Sequence, residues 1–161
     1  MHPYRTHTCG ELRESHTGET VKVSGWIHRK RDHGNLLFID LRDHYGVIQC
    51  VVENGESSFT LADSIRHESV VTVTGIVTSR DSETINDHLS TGKIEIRITN
   101  FDIQSSADDL PIPVFGEQEY PEELRLRYRF LDLRREKMQK NISLRSEIIA
   151  SIRRRMTEQG F

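Results

Sequence analysis

From residue 19 to 104 the chain alternates apolar and polar positions with a period of two, the mark of half-buried strands. Val21 and Val23 alternate with Lys22 and Ser24 before Gly25-Trp26-Ile27. Asn35 to Arg42 follows the loop signal Asp32-His33-Gly34, and the turn Asp43-His44-Tyr45-Gly46 leads into Val47 to Val52, so these two strands form a hairpin. Residues 57–67 switch period. Phe59, Leu61, Ala62, Ile65 and Arg66 suit a short amphipathic helix, with Ser57 or Ser58 as its cap. Strand character returns at Val70 to Val77, and after a polar stretch at 80–92 a fifth strand covers Lys93 to Ile98.

Three strands, a helix and two strands, with glycines where strands bend, is the order of a five-stranded oligonucleotide/oligosaccharide-binding (OB) barrel. The expected fold class is therefore mainly β: an OB barrel with a short helix between strands 3 and 4, then a linker and C-terminal helices. From residue 123 the pattern is helical. A long helix spans about 137 to 158, with Ile142, Ile148, Ile149, Ile152 and Met156 on one stripe and Gly160 as its stop.

Charge sharpens these boundaries. The net charge of −3 conceals three regions of opposite character. Residues 1–104 carry 11 basic and 15 acidic side chains, residues 105–124 carry 0 and 6, and residues 125–161 carry 11 and 4. Three of the four prolines fall in 105–124. The expected organisation is a barrel domain at 1–104, an acidic, Pro-stiffened linker at 105–124 and a helical segment at 125–161. The apolar runs are too short to span a membrane, and no signal peptide is visible, so a cytoplasmic protein with Cys9 and Cys50 as thiols is expected.

Strand parity picks out candidate binding residues. Leu37, Ile39 and Leu41 share one face, leaving Phe38, Asp40 and Arg42 on the other. With Ile48, Cys50 and Val52 inward, Gln49 falls on the outer face beside Phe38. Ile94, Ile96 and Ile98 point in, and Lys93, Glu95 and Arg97 point out. An exposed ring, an amide and mixed charges are groups that stack on a base and bond its edge. Phe38 among charges favours a binding role over an ordinary exposed aromatic packed under a loop, whereas Gln49 taken alone is a solvated residue and draws its weight from sharing a face with Phe38. Arg29-Lys30-Arg31 is the only basic cluster of the barrel region. A bulge at Gly25 would change the parity beyond it, so the pattern leaves open which of the three faces a ligand. His28 and His33 have no Cys or carboxylate completing a ligand set, so no metal site is expected. No Walker loop, G-x-S-x-G or dinucleotide glycine pattern occurs, and no catalytic constellation is expected.

The blocks Gly25-Trp26-Ile27-His28-Arg29-Lys30-Arg31-Asp32-His33-Gly34, Leu37-Phe38-Ile39-Asp40-Leu41-Arg42-Asp43 and Gly46-Val47-Ile48-Gln49 resemble the anticodon-binding domain of bacterial aspartyl-tRNA synthetases. Tyr120-Pro121-Glu122-Glu123 and Arg127 to Arg135 are similar to the segment joining that domain to the class II catalytic core. The resemblance covers essentially the whole chain. It implies that Phe38 stacks on the middle anticodon base, that Gln49 and Glu95 bond base edges, and that Arg29, Arg31 and Arg80 hold the anticodon loop. His33 and Thr84 fall at specificity positions. His33 is the residue found in relaxed members, which aspartylate asparagine tRNA as well as aspartate tRNA, whereas the loop at 81–91 follows neither pattern. The implied partners are tRNA(Asp) and tRNA(Asn), and the implied parent is a homodimer using ATP and Mg²⁺ to form aspartyl-adenylate. This chain is expected to need no cofactor and to be inactive alone, since it stops at Gly160-Phe161 before the second and third class II motifs. The isoleucine stripe of its last helix is then expected to lack the core it packs on. The rival readings are a sequence-independent single-strand-binding OB protein, for which the barrel is too acidic, and an assembly module acting through the basic last helix.

Overall fold

The computed structural model describes residues 2–116 and 118–161. It divides into two compact units, residues 1–108 and 109–161. In the first, β1 (Thr20–Asp32), β2 (Leu36–Arg42), β3 (Val47–Glu53), β4 (Val70–Ser79) and β5 (Ile94–Ser105) form a closed barrel in the order β1-β2-β3-β5-β4. The β3–β5 pair is parallel and the other four are antiparallel. Helix α1 (Ser57–Ser64) lies between β3 and β4 in sequence. The expected OB barrel is the observed one.

The period-two positions form its core. Leu37, Ile39 and Leu41 of β2, Ile48, Cys50 and Val52 of β3, and Ile94, Ile96 and Ile98 of β5 are all buried together with Val21, Val23 and Ile27 of β1. Ala62 and Ile65 add the α1 side, and Cys9 and Leu12 bring an N-terminal strap into the same core. The strap is tied down by Thr6 N–H to the Lys22 carbonyl (2.8 Å) and Cys9 N–H to the Asp43 carboxylate (2.9 Å). Burial pushes the Cys9 thiol up, reinforced by Asp43, and burial likewise raises Cys50. Both are free thiols with little thiolate character.

Three local expectations need correction. Gly75 stands at an irregularity of the β4–β5 ladder, as expected of a glycine where a strand bends, but Gly25 sits in regular pairing; a Cβ would come 2.3 Å from the Arg42 carbonyl oxygen at Gly25 and 2.2 Å from that of Arg97 at Gly75. They allow close approach between strands, and the bulge of β1 falls after Gly25, between Ile27 and Arg29. Helix α1 stops at Ser64, with Glu56 at its N-cap position and no side-chain cap bond; Ser58 is buried instead. Strand β5 runs on to Ser105, pairing with β4 as far as Val70 through register shifts at Thr74/Gly75 and Val70/Val71.

The second unit contains α2 (Glu122–Arg127), α3 (Arg129–Asp132) and α4 (Glu136–Glu158). Ile112 and Val114, from the acidic stretch expected to be a linker, pack with Leu131. The fully buried Asp132 carboxylate accepts bonds from Arg125 (2.9 Å) and Arg129 (2.6 Å). Helix α4 has no buried residue, and Ile142, Ile148, Ile149, Ile152 and Met156 are all exposed. No helix among the described residues is long and apolar enough to cross a membrane.

Candidate nucleic-acid interface

The bulge in β1 decides which basic residues reach the outer face. Upstream, Ile27 pairs with Leu41 and both point into the core. Downstream, Arg29 pairs with Asp40 and Arg31 with Phe38, His28 being the extra residue. Directly opposed residues share a face, so both arginines stand beside the outward groups of β2. Without the bulge, Arg29 would fall opposite Ile39 and Arg31 opposite Leu37, in the inward row. Lys30 is not part of the face: its Nζ reaches the Asp63 carbonyl (2.5 Å) near the end of α1, and burial lowers its pKa. A cation there suits the negative end of a helix.

On β3, Gln49 lies opposite Asp40, and Val51 opposite Phe38. A continuous chain of bonds results. Arg31 donates to the Asp40 carboxylate (2.9 Å) and to Gln49 Oε1 (3.0 Å). Gln49 Nε2 donates to Glu95 Oε2 (2.8 Å), and Arg80 Nε lies 4.0 Å from the same oxygen. The amide can point only one way here, because the flipped form would set its NH₂ against a guanidinium and its oxygen against a carboxylate. Gln49 is 7% exposed and bonded at both its oxygen and its nitrogen, so it is a buried, engaged group rather than a solvated one. Asp40, which strand parity places outward without marking a role for it, is the anchor of Arg31.

Arg80 lies beneath this face. Its Nε donates to the Ile94 carbonyl (3.0 Å) and its Nη1 to the Thr84 carbonyl (3.4 Å), tying the 81–91 loop to the start of β5. Its Nη2 is buried with no hydrogen-bond partner among the described residues. Burial lowers the Arg80 pKa, and the neighbouring Glu95 and Asp40 oppose that shift. At the other end, the His33 ring meets Phe38 edge-on, with centroids 5.3 Å apart and planes at 84°. Asp32 Oδ1 accepts the Gly34 N–H (2.7 Å), shaping the loop that carries His33. Arg31, Gln49, Glu95, Arg80 and Thr84 are thus linked by one set of contacts, Phe38 and His33 by another, and Arg29 and Phe38 join the first set by register.

His28, the bulged residue, has its pKa lowered by burial and by the adjacent Arg42, whose Nη1 lies 3.3 Å from its Nδ1. A base with a depressed folded pKa stabilises the fold above its unfolded value, about 6.5, and that contribution is lost as pH falls through the folded value. Denaturant unfolding between pH 7 and pH 5 is therefore expected to show falling stability, with a shallower fall in His28→Gln. Parallel pH curves for the two proteins would contradict this.

A small closed five-stranded barrel carrying a stacking ring, an amide and paired charges outside strands 2 and 3 defines an OB-type nucleic-acid-binding module. The chain belongs to the OB-fold nucleic acid binding domain family (tRNA anti-codon), whose model matches residues 21–104. Residues 121–161 match the family of class II tRNA synthetases (D, K and N). Over its full length the chain is 58% identical to an aspartate–tRNA(Asp/Asn) ligase of Zymomonas mobilis and 60% identical to one of Bradyrhizobium diazoefficiens. It spans 27% of the length of each. Among solved structures, asparaginyl-tRNA synthetase from Pyrococcus horikoshii is 28% identical with a TM-score of 0.81, the match covering 96% of this chain and 36% of that one.

Proposed function

We propose that this chain is the anticodon-recognising portion of an aspartyl-tRNA synthetase, with the face of Phe38, Gln49, Glu95, Arg29 and Arg31 as its RNA-binding surface. The observation that carries this reading is the connected chain Asp40–Arg31–Gln49–Glu95 beside the half-exposed Phe38 ring. Phe38 stacks on the middle anticodon base. Gln49 and Glu95 exchange their mutual bond for bonds to base edges, and a base offering both a donor and an acceptor replaces both partners at once. A base offering only one leaves a buried polar group unpaired, which costs about 1–3 kcal/mol and supplies the discrimination. Arg80 positions Glu95 and the Thr84 loop from below.

The parent protein attaches aspartate to tRNA(Asp), and the His33 loop extends this to tRNA(Asn). We assign the ATP- and Mg²⁺-dependent formation of aspartyl-adenylate, and homodimer formation, to a cytoplasmic parent enzyme of the length of the matched relatives. His33→Leu is expected to separate the affinities for aspartate and asparagine anticodon stem-loops, which the unsubstituted chain binds alike. Titrations in which the two loops stay together after the substitution would remove the dual specificity.

The sequence-independent rival predicts a different salt response. Arg31 is paired with Asp40 and Arg80 with Glu95, so few phosphates are neutralised. With about three phosphate contacts, a fourfold rise in salt is expected to weaken binding roughly twentyfold, from a slope of about −0.7 per contact. A much steeper loss, equal for every loop sequence, would favour the rival.

A further inference from the structure

The N-terminal strap holds a donor set that RNA recognition does not use. We propose that His7, His16 and Glu19 form a binding site for a single zinc-class divalent transition-metal ion. Their ligand atoms all lie within 4.8 Å of one another, although His7 stands nine residues before His16 in sequence. The two imidazole rings pack edge to face with centroids 5.2 Å apart. Around a tetrahedral zinc with bonds of about 2.0–2.1 Å, ligand atoms stand roughly 3.3 Å apart. Closure thus needs shifts of about 1 Å, within the rotamer range of half-exposed imidazoles and an exposed glutamate.

The backbone already holds these three residues in place. Thr6 N–H bonds the Lys22 carbonyl, His16 closes a 3-10 turn over Glu14–His16, and the Glu19 carbonyl accepts the Val77 N–H (3.0 Å). The far side of each ring is also engaged. Thr6 Oγ1 accepts the Lys22 N–H (2.9 Å) and donates to the Lys22 carbonyl (3.2 Å), which leaves one lone pair to accept from His7 Nδ1–H (3.0 Å), the tautomer whose Nε2 can take a metal. His16 Nδ1 lies 3.0 Å from the Arg13 N–H and 3.2 Å from the Arg13 carbonyl. It can switch from accepting the first to donating to the second when Nε2 takes a metal. A backbone carbonyl or hydroxyl behind the imidazole is the arrangement that orients metal-bound histidines. Glu11 adds a second carboxylate close by. Its bond from the Thr8 N–H lowers its pKa most, and the charges of His7 and His16 lower it further.

Two imidazoles and one carboxylate select zinc and its transition-metal neighbours over Mg²⁺ and Ca²⁺, which take oxygen sets. Three protein ligands leave a fourth position for water. The consequence is a clip joining the strap, the 3-10 turn and the entry to β1. Sequence spacing alone reveals only half of it: His16 and Glu19 are three apart on one turn, with the Glu19 N–H bonded to the His16 carbonyl (3.0 Å), whereas His7 meets them only through the fold.

The test is a ZnCl₂ titration of the whole 161-residue chain by isothermal calorimetry. Cobalt(II) absorption would report the coordination geometry. Saturable binding of one ion per chain is expected, with His7→Gln and His16→Gln each weakening it at least about tenfold, Glu19→Gln weakening it less, and His44→Gln leaving it unchanged. Circular dichroism on each variant separates lost ligands from lost folding, and the exposed Glu19 supplies a variant that keeps the strap intact. Absence of saturable binding, or isotherms unaltered in His7→Gln and His16→Gln, would overturn the site. None of these residues belongs to the RNA face, so either proposal can fail alone.

Discussion

Phe38→Ala is expected to weaken binding of an anticodon stem-loop by roughly 5- to 150-fold, equivalent to about 1–3 kcal/mol for the loss of one base–aromatic stack. The ring stands half-exposed on the outer face of β2, opposite Val51 and in edge contact with His33, while its neighbours Leu37 and Ile39 fill the core. Removing it leaves the core intact. Thermal stability should therefore change little, and the loss should fall equally on aspartate and asparagine loops because the ring reads a π-face rather than an edge. Phe38→Leu, which keeps apolar bulk without an aromatic plane, is expected to recover little of the affinity. A change smaller than twofold in Phe38→Ala, measured by fluorescence anisotropy on a folded variant, would show that the base stacks elsewhere.

The largest expected effect on stability belongs to Gly75→Ala. A Cβ at this position would lie 2.2 Å from the Arg97 carbonyl oxygen and 2.6 Å from Ile96 Cγ2, both in the strand that closes the barrel. Neither neighbour can swing aside: one is backbone and the other is a core residue with no exposure. The β4–β5 ladder must open at this point, where its register is already irregular. A cost of about 3 kcal/mol or more is expected, a large share of the few kcal/mol by which a domain this size is stable. Gly34→Ala provides the contrast. That residue has φ +78°, but an added methyl group there would meet nothing within 4 Å, so only the backbone strain of about 1 kcal/mol is expected. Denaturant midpoints for the two variants should differ clearly. Equal, small shifts would mean that the barrel seam accommodates a side chain.

Much of the barrel could be read from alternation because burial on one face of a strand imposes a period of two. The inward sets of β2, β3 and β5 are the buried ones, and Phe38, Gln49 and Glu95 lie on the opposite face as parity required. The fate of Arg29, Lys30 and Arg31 could not be read this way. It depends on where β1 slips against β2, and that slip occurs at His28 rather than at the glycine. Nor could the pairing of the polar residues be read. Residue types announced a face able to bond bases, but which carboxylate holds which arginine follows from cross-strand register, and only the fold assigns Asp40 to Arg31 and Arg80 to the underside of Glu95. Ile112 and Val114 were hidden for a related reason. Two apolar residues between prolines and acids carry no period, and their burial against Leu131 is a tertiary event.

Binding of the chain to three anticodon stem-loops tests the central claim most directly: the aspartate loop, the asparagine loop, and an aspartate loop with its middle anticodon base changed. Anisotropy titrations at one fixed salt concentration suffice. The first two should bind with similar affinity, and the third, whose middle base no longer offers the donor and acceptor that Gln49 and Glu95 take, should bind at least about tenfold more weakly, the cost of roughly 1–3 kcal/mol for a buried polar group left without its partner. Equal affinity for all three would contradict anticodon recognition by the Phe38–Gln49–Glu95 face.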